Sequence, residues 1–219
     1  MKKIIAIDGP AGAGKSTVAQ MTADYLGYTY IDTGSMYRAV AWKVLQHVPI
    51  DKLTDNDIIN TVKKINVRLS YKNNKTEVYV NGQEISSELK TPAVNKIVSQ
   101  VAKLRSVREK MVYLQRLMAR NGAVVMDGRD IASNVLPNAD LKIFLTASVQ
   151  ERANRRFQEM QKKGYNLSLE ELKKDIVKRD KMDSERTIAP LIKTSDAVLI
   201  DTTGMTIDAV VAKILELSL

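Results

Sequence analysis

The chain has 219 residues, 44% hydrophobic and 27% charged, enough for one compact domain with a real core and the wrong balance for a disordered one. The absence of cysteine excludes disulfides and thiolate metal sites, and the single histidine, His47, excludes a histidine-rich metal centre. A formal net charge of +9 and a pI of about 9.6 favour anionic partners: nucleic acid, a membrane surface or phosphorylated small molecules.

In chain order, Met1-Lys2-Lys3-Ile4-Ile5-Ala6-Ile7 has the two lysines and short apolar run of a signal peptide. The run is too short and Asp8-Gly9-Pro10 stops it, so Lys3–Ile7 is expected as a buried strand. No stretch approaches the roughly 20 apolar residues of a membrane helix, and the expected location is the cytoplasm. Gly9-Pro10-Ala11-Gly12-Ala13-Gly14-Lys15-Ser16 then matches the P-loop pattern, between that strand and a helical segment, Lys15–Leu26. Its backbone N–H groups, with Thr17 at the helix start, are expected to cradle the phosphates of ATP. Lys15 would reach the β- and γ-phosphates and Ser16 would ligate Mg²⁺.

A second strand is expected over Thr29–Ile31, followed by Asp32-Thr33-Gly34-Ser35-Met36-Tyr37-Arg38, where Thr33 or Ser35 could cap a helix carrying Tyr37 and Arg38. His47 is expected at a helix surface or boundary. The region of about 51–105 reads as an insertion, with alternation over Val67–Ile85 giving a hairpin or three-stranded antiparallel unit turning at Lys72–Thr76 and Asn81-Gly82. From Lys90 to Arg129 there are nine basic residues and two acidic ones, a solvated basic face or a set of phosphate clamps. A third strand, Ala123–Met126, runs into Asp127-Gly128-Arg129-Asp130. Leu141–Leu145 and Ala197–Ile200 complete five candidate strands, with a last helix over Ile207–Leu217. Short apolar strands separated by helix-length segments argue βαβ units. Between Gln150 and Arg186, dense charge of both signs on either side of Gly164 reads as a helix–loop–helix lid. Arg152 there shares a helix face with Arg155 and Arg156, either paired to Glu151 and Glu159 or aimed at a transferring phosphoryl.

The expected architecture is a single α/β domain: a P-loop NTPase-type parallel five-stranded sheet flanked by helices, with an inserted subdomain and a short helical lid. The core takes in about 1–50, 106–148 and 187–219, the insertion about 51–105 and the lid about 149–186. A P-loop alone does not name a reaction. A GTPase would need Asn-Lys-x-Asp; Asn74-Lys75-Thr76-Glu77 and Asn95-Lys96-Ile97-Val98 both lack the Asp. A motor ATPase would usually need a longer chain and a strand ending in paired acids. Ligands of open α/β sheets bind beyond the carboxyl ends of strands, so the Asp32 and Asp127 clusters belong on the P-loop side. A monophosphate acceptor attacks through an oxygen that is already anionic, so arginines rather than a strong base are the expected catalytic residue type.

Together the clusters resemble the bacterial cytidylate kinases, from Ile5 to about Leu217. The resemblance rests on Asp8-Gly9-Pro10, the P-loop, Asp32-Thr33-Gly34 with Tyr37-Arg38, Val98–Ala102, Val107-Arg108, Asp127–Asp130, Leu136-Pro137, Glu151–Arg156, Arg179-Asp180, Asp183, Arg186, Ala189–Leu191 and Asp201–Gly204. It implies transfer of the γ-phosphoryl of ATP to CMP or dCMP with Mg²⁺. It implies that Ser99, Arg108 and Asp130 read cytosine and that Arg179 and Asp183 hold the ribose. Tyr37, Arg38, Arg129 and Arg186 would meet the acceptor phosphate or its surroundings, and Arg152, Arg155 and Arg156 would belong to the lid. Lys15, Arg129 and those three lid arginines are the expected catalytic set, and Thr33 and Asp127 join the acceptor-binding set. Ile131-Ala132-Ser133-Asn134 replaces the family's Ile-Gly-Thr-Val, which would make any φ > 0 at Ala132 costly, and Lys90 stands where Arg is common. A kinase for another acceptor such as UMP is the alternative. A nucleic-acid-binding protein is the reading from a different class, with two Phe and one Trp limiting its stacking platforms. The expected partners are small nucleotides, with no nucleic acid and no membrane, and monomer is the default state.

Overall fold

In a computed structural model the chain is described over residues 3–72, 75–162 and 164–219. Asn73 and Asn74, at the expected hairpin turn, lie outside the described residues. All five candidate strands are present: β1 (Ile4–Asp8), β2 (Thr29–Asp32), β6 (Val124–Gly128), β7 (Leu141–Thr146) and β8 (Val198–Asp201). They form one sheet in the order β2-β6-β1-β7-β8, with every neighbouring pair parallel. The strands run one to two residues further than the apolar pattern alone, because the ladder continues: Asp8 pairs with Gly128 and Asp32 with Asp127. Three carboxylates, Asp8, Asp32 and Asp127, therefore stand side by side at the carboxyl ends of three adjacent strands.

Helices cover both faces, each with a local reason to start and stop. The helix α1 (Lys15–Leu26) ends at Gly27, whose φ of 65° reverses the chain. The helix α2 (Thr33–Leu45) is capped by Asp32, which accepts from the Ser35 N–H at 2.9 Å; the cap is thus neither Thr33 nor Ser35. His47 lies exposed just past its end. In the region expected as an insertion, α3 (Asp55–Lys64) begins with a Thr54/Asp57 capping box, and β3 (Val67–Lys72), β4 (Lys75–Val80) and β5 (Gln83–Glu84) form the antiparallel unit. The helix α4 (Pro92–Lys103) buries Val94, Ile97, Val98 and Val101, one helical stripe. The helix α5 (Arg105–Ala119) buries Val107, Met111 and Ala119 together with Arg108 and Gln115. These stripes meet Met36, Val40, Ile58, Val67, Val78 and Ile85 in one apolar cluster, so the insertion shares its core with α2 and α5. A second cluster, including Ile5, Ile7, Val18, Tyr30, Val125, Leu145 and Val211, holds α1 and α8 (Ile207–Ser218) against the sheet.

The region expected as a lid holds α6 (Val149–Lys162) and α7 (Leu169–Ser184), the latter opened by a Ser168/Glu171 capping box. After β6 a single wide π turn spans Ile131–Val135. Ala132 is not among the residues with positive φ, so replacing glycine there imposes no left-handed strain.

Candidate active site

The P-loop bends through Gly9, Gly12 and Gly14, with φ of 147°, 79° and 88°. A Cβ on Gly9 would lie 1.9 Å from the Leu145 carbonyl oxygen on β7, so the strand ladder itself demands glycine there. The Lys15 ammonium is buried and donates to the Pro10 carbonyl at 2.7 Å. Burial pushes its pKa well below the ordinary lysine value; the like charges of Arg129 and Arg179 add to this, while Asp127 and Asp8 oppose it. Ser16 and Thr17 are exposed at the start of α1, and the Ser16 hydroxyl donates to Asp127 Oδ2 at 3.0 Å. The other oxygen, Oδ1, accepts from the Tyr30 hydroxyl at 2.8 Å. Thr33 turns to the same strand and donates to the Asp127 carbonyl at 2.7 Å.

The acceptor-side residues form two linked ion-pair groups. In the first, Asp130 is buried between Arg108 and Arg186: Arg108 Nη2 donates to its Oδ2, and Arg186 Nη2 to its Oδ1 at 3.2 Å. Asn134, on the π turn, donates to Oδ2 at 2.9 Å. Tyr37 presents its ring to the Arg108 guanidinium at 5.7 Å, and burial pushes its hydroxyl up to about 12. Ser99 lines an open cleft with Lys103, Leu104, Met182, Arg186 and Ile188, about 380 Å³ in volume, beside this group.

In the second group, Arg129 Nε donates to Asp183 Oδ2 at 2.8 Å. Burial alone would raise the Asp183 pKa, but Arg129, Arg179 and Arg186 hold it below the usual carboxylate value. Arg179 has no such exclusive partner. Burial first, then the charges of Arg129, Arg38 and Arg156, against Asp183, bring its pKa down to about 9. Arg38 approaches Asp32 at 3.8 Å and keeps Nε and Nη1 buried without a hydrogen-bond partner. The result is a partly buried cationic centre of Lys15, Arg38, Arg129, Arg156 and Arg179, facing the P-loop.

The three α6 arginines separate. Arg152 is buried and donates to the carbonyls of Ala11 and Ala147, both at 2.9 Å, while pairing with Asp180 at 2.6 Å. It thus fastens the P-loop to both lid helices. Arg155 pairs with Glu151 and donates twice to Thr202, in the loop after β8. Arg156 pairs with Glu159 at 2.7 Å and adds its charge to Arg179.

Four residues that sequence reasoning did not single out for the site matter here: Asp8, Tyr30, Asp180 and Thr202. Asp8 accepts the N–H groups of Ile131 and Ala132 at 2.9 and 2.8 Å, which holds the π turn carrying Asn134 against the P-loop strand. Burial pushes its carboxyl up to about 6, helped by Asp130 and opposed by those N–H groups and by Lys15. The available signal for Asp8 was the aspartate closing each of four apolar strand segments, at Asp8, Asp32, Asp127 and Asp201. Among the described residues no group of three or more carboxylates or histidines is arranged to hold a metal ion, and no helix is long and apolar enough to cross a membrane.

Residues 5–218 match the family model for cytidylate kinase. A cytidylate kinase of Alkaliphilus oremlandii is 52% identical over 97% of this chain and 96% of its own length, and one of Bacillus cereus is 49% identical over 97% and 94%. A solved structure of an uncharacterized protein from Eubacterium ventriosum shares the fold, with a TM-score of 0.54 at 13% identity over 99% of this chain and 98% of its own.

Proposed function

The chain belongs to the cytidylate kinase family, and from that premise we infer that its site transfers the γ-phosphoryl of ATP to CMP, with dCMP as a second acceptor. One observation carries the reading. The buried charges of Lys15 and Arg179 are both pushed down by burial and by Arg129 beside them, whose own charge Asp183 sustains, and an anion is what this arrangement lacks. Phosphates from two nucleotides supply it. They hold Lys15 protonated and replace lost hydration with fixed guanidinium groups. An oxygen of the CMP phosphate attacks the γ-phosphorus, the bond to the β-bridging oxygen breaks, and ADP leaves with that electron pair. Arg129, Arg179 and Arg38 steady the transferring charge, and Arg152 keeps the P-loop closed against the lid.

Mg²⁺ fits the Ser16 hydroxyl and the Asp127 carboxylate, already 3.0 Å apart beside the exposed start of α1. When bound it would neutralise charge on the phosphates. Ser16 and Asp127 would be its protein ligands, few in number as Mg²⁺ tolerates.

Specificity rests on Asp130, whose oxygens already accept from Arg108, Arg186 and Asn134. A carboxylate offers about four acceptor positions, which leaves one for a donor on the base. The cytosine amino group supplies that donor; uracil presents an oxygen and meets like charge. Arg179 and Asp183 face the ribose, Arg38 and Arg186 the acceptor phosphate, and Ser99 the base. The protein works as a cytoplasmic monomer in pyrimidine nucleotide metabolism. The test is ADP release with ATP–Mg²⁺ and CMP, dCMP, UMP, AMP or GMP offered separately. Fast turnover with CMP and dCMP, and at least about 100-fold less with UMP, is expected. Equal turnover with UMP would remove Asp130 as the base reader.

A further inference from the structure

Tyr30 occupies a position that packing alone does not explain. It is 3% exposed on β2, among Val18, Val125 and Ile143. A leucine or phenylalanine would fill apolar space there without burying a hydroxyl. The hydroxyl ends 2.8 Å from Asp127 Oδ1, while Ser16 holds Oδ2 at 3.0 Å, so both carboxylate oxygens are pinned from different sides. Behind Tyr30 stands Tyr71 of the insertion strand β3, edge to face at 5.9 Å and 82°. The Tyr71 hydroxyl in turn donates to Asp24 of α1. A continuous line of contacts thus runs from the inserted hairpin through two rings to the carboxylate beside the P-loop serine.

We propose that Tyr30 is a positioning residue that fixes the Asp127 carboxylate for the Mg²⁺–nucleotide, and that Tyr71 buttresses it from the insertion. The inference rests on the assignment of Ser16 and Asp127 to the cation. Groups that orient a metal-holding carboxylate commonly carry a tenfold or greater share of metal affinity. The Tyr30 hydroxyl is the donor in its bond to Asp127 Oδ1. An unpinned Asp127 would turn about its last torsion and present its oxygens to the ion only part of the time.

The test is calorimetric ADP binding to the full chain at rising Mg²⁺ concentration, with CMP kinetics alongside. Tyr30→Phe is expected to raise the Mg²⁺ midpoint about tenfold. ADP binding without Mg²⁺ and the KM for CMP should each stay within about twofold, which a loss of packing would not allow. Tyr71→Leu should raise the midpoint severalfold and Tyr71→Phe, which keeps the ring, should leave it unchanged. Asp127→Asn is the reference. If it loses the Mg²⁺ dependence while Tyr30→Phe titrates like the native protein, the inference falls and the cation assignment stands. If Asp127→Asn itself titrates like the native protein, both fall. A native midpoint in Tyr71→Leu removes the buttress alone.

Discussion

Replacing Asp183 by alanine tests the centre of the site in one step. The Asp183 side chain is 8% exposed and is bonded by Arg129 Nε at 2.8 Å. Arg179 and Arg186 lie close enough to depress its pKa despite burial. Removing the carboxylate leaves Arg129 and Arg179 with their mutual repulsion uncompensated by it. Breaking one partner of a buried pair costs 3–5 kcal/mol, and because Arg129 retains 18% exposure the lower end applies, about 3 kcal/mol. In a chain of this length that lowers Tm by roughly 6–12 °C. The sign with pH follows from the depressed carboxyl: its contribution is present above the unfolded value near 3.8 and is lost as pH falls through the lower folded value. The Tm gap should therefore be flat from neutral pH down to about 5 and close in acid. Phosphate ions should restore more stability to the variant than to the native protein, because the variant has the larger cationic excess. Thermal unfolding across pH, with and without phosphate, and KM for CMP and dCMP are the measurements. KM should rise at least tenfold on the loss of one charged contact, about 1.4 kcal/mol. An unchanged KM for both acceptors would remove Asp183 from the site, and an unchanged Tm at pH 7 would refute the electrostatic reasoning.

Lys15→Met should abolish turnover while leaving circular dichroism and Tm near native, since burying a neutral chain costs less than burying an ammonium; near-normal turnover would sink the P-loop assignment. Gly9→Ala should yield little folded protein, because its Cβ would sit 1.9 Å from a backbone oxygen of β7; a native Tm would show that the loop can shift without cost. Asp8 titrates in the opposite sense to Asp183. With its carboxyl raised to about 6, the neutral form is favoured in the fold, so its contribution is largest below about 4 and is lost as pH rises through about 6. The Tm of the native protein relative to Asp8→Asn should fall between pH 4 and 7, and a flat difference would mean that the carboxyl is already ionised at pH 4.

The residues after β6 show how a local rule can mislead. Alanine in place of glycine at 132 suggested strain, but the π turn keeps Ala132 out of the left-handed region, and Asp8, 124 positions earlier, accepts its N–H. Asn134 likewise reads as a departure from pattern in the sequence, whereas in the fold it is a third donor to Asp130. The arginines carry the same lesson. Arg152, Arg155 and Arg156 share a helix spacing, yet one binds the P-loop backbone, one the loop after β8 and one the centre of positive charge. Helical spacing fixes the direction in which a side chain leaves the backbone, and it contains nothing about what waits there.

What the sequence determined by itself was whatever depends on neighbours along the chain. Alternating apolar segments placed the five strands, and helix starts at Thr54, Thr91, Ser168 and Thr206 are equally local, each closed by a bond from the residue three positions on. The P-loop was legible because its glycines, lysine and serine act on one ligand from one continuous turn. Tertiary structure alone decided which charges are matched. Arg129 finds Asp183 at a separation of 54 residues, Tyr30 finds Asp127 at 97, and Arg152 finds Ala11 at 141. Burial then sets what each pairing is worth. A guanidinium whose partner is a carboxylate is held in place, and one beside other guanidinium groups, as Arg179 is, has its pKa pushed down to about 9. Backbone geometry is written in short-range sterics and hydrogen bonds; the electrostatics of a site exist only once distant segments have excluded water from between them.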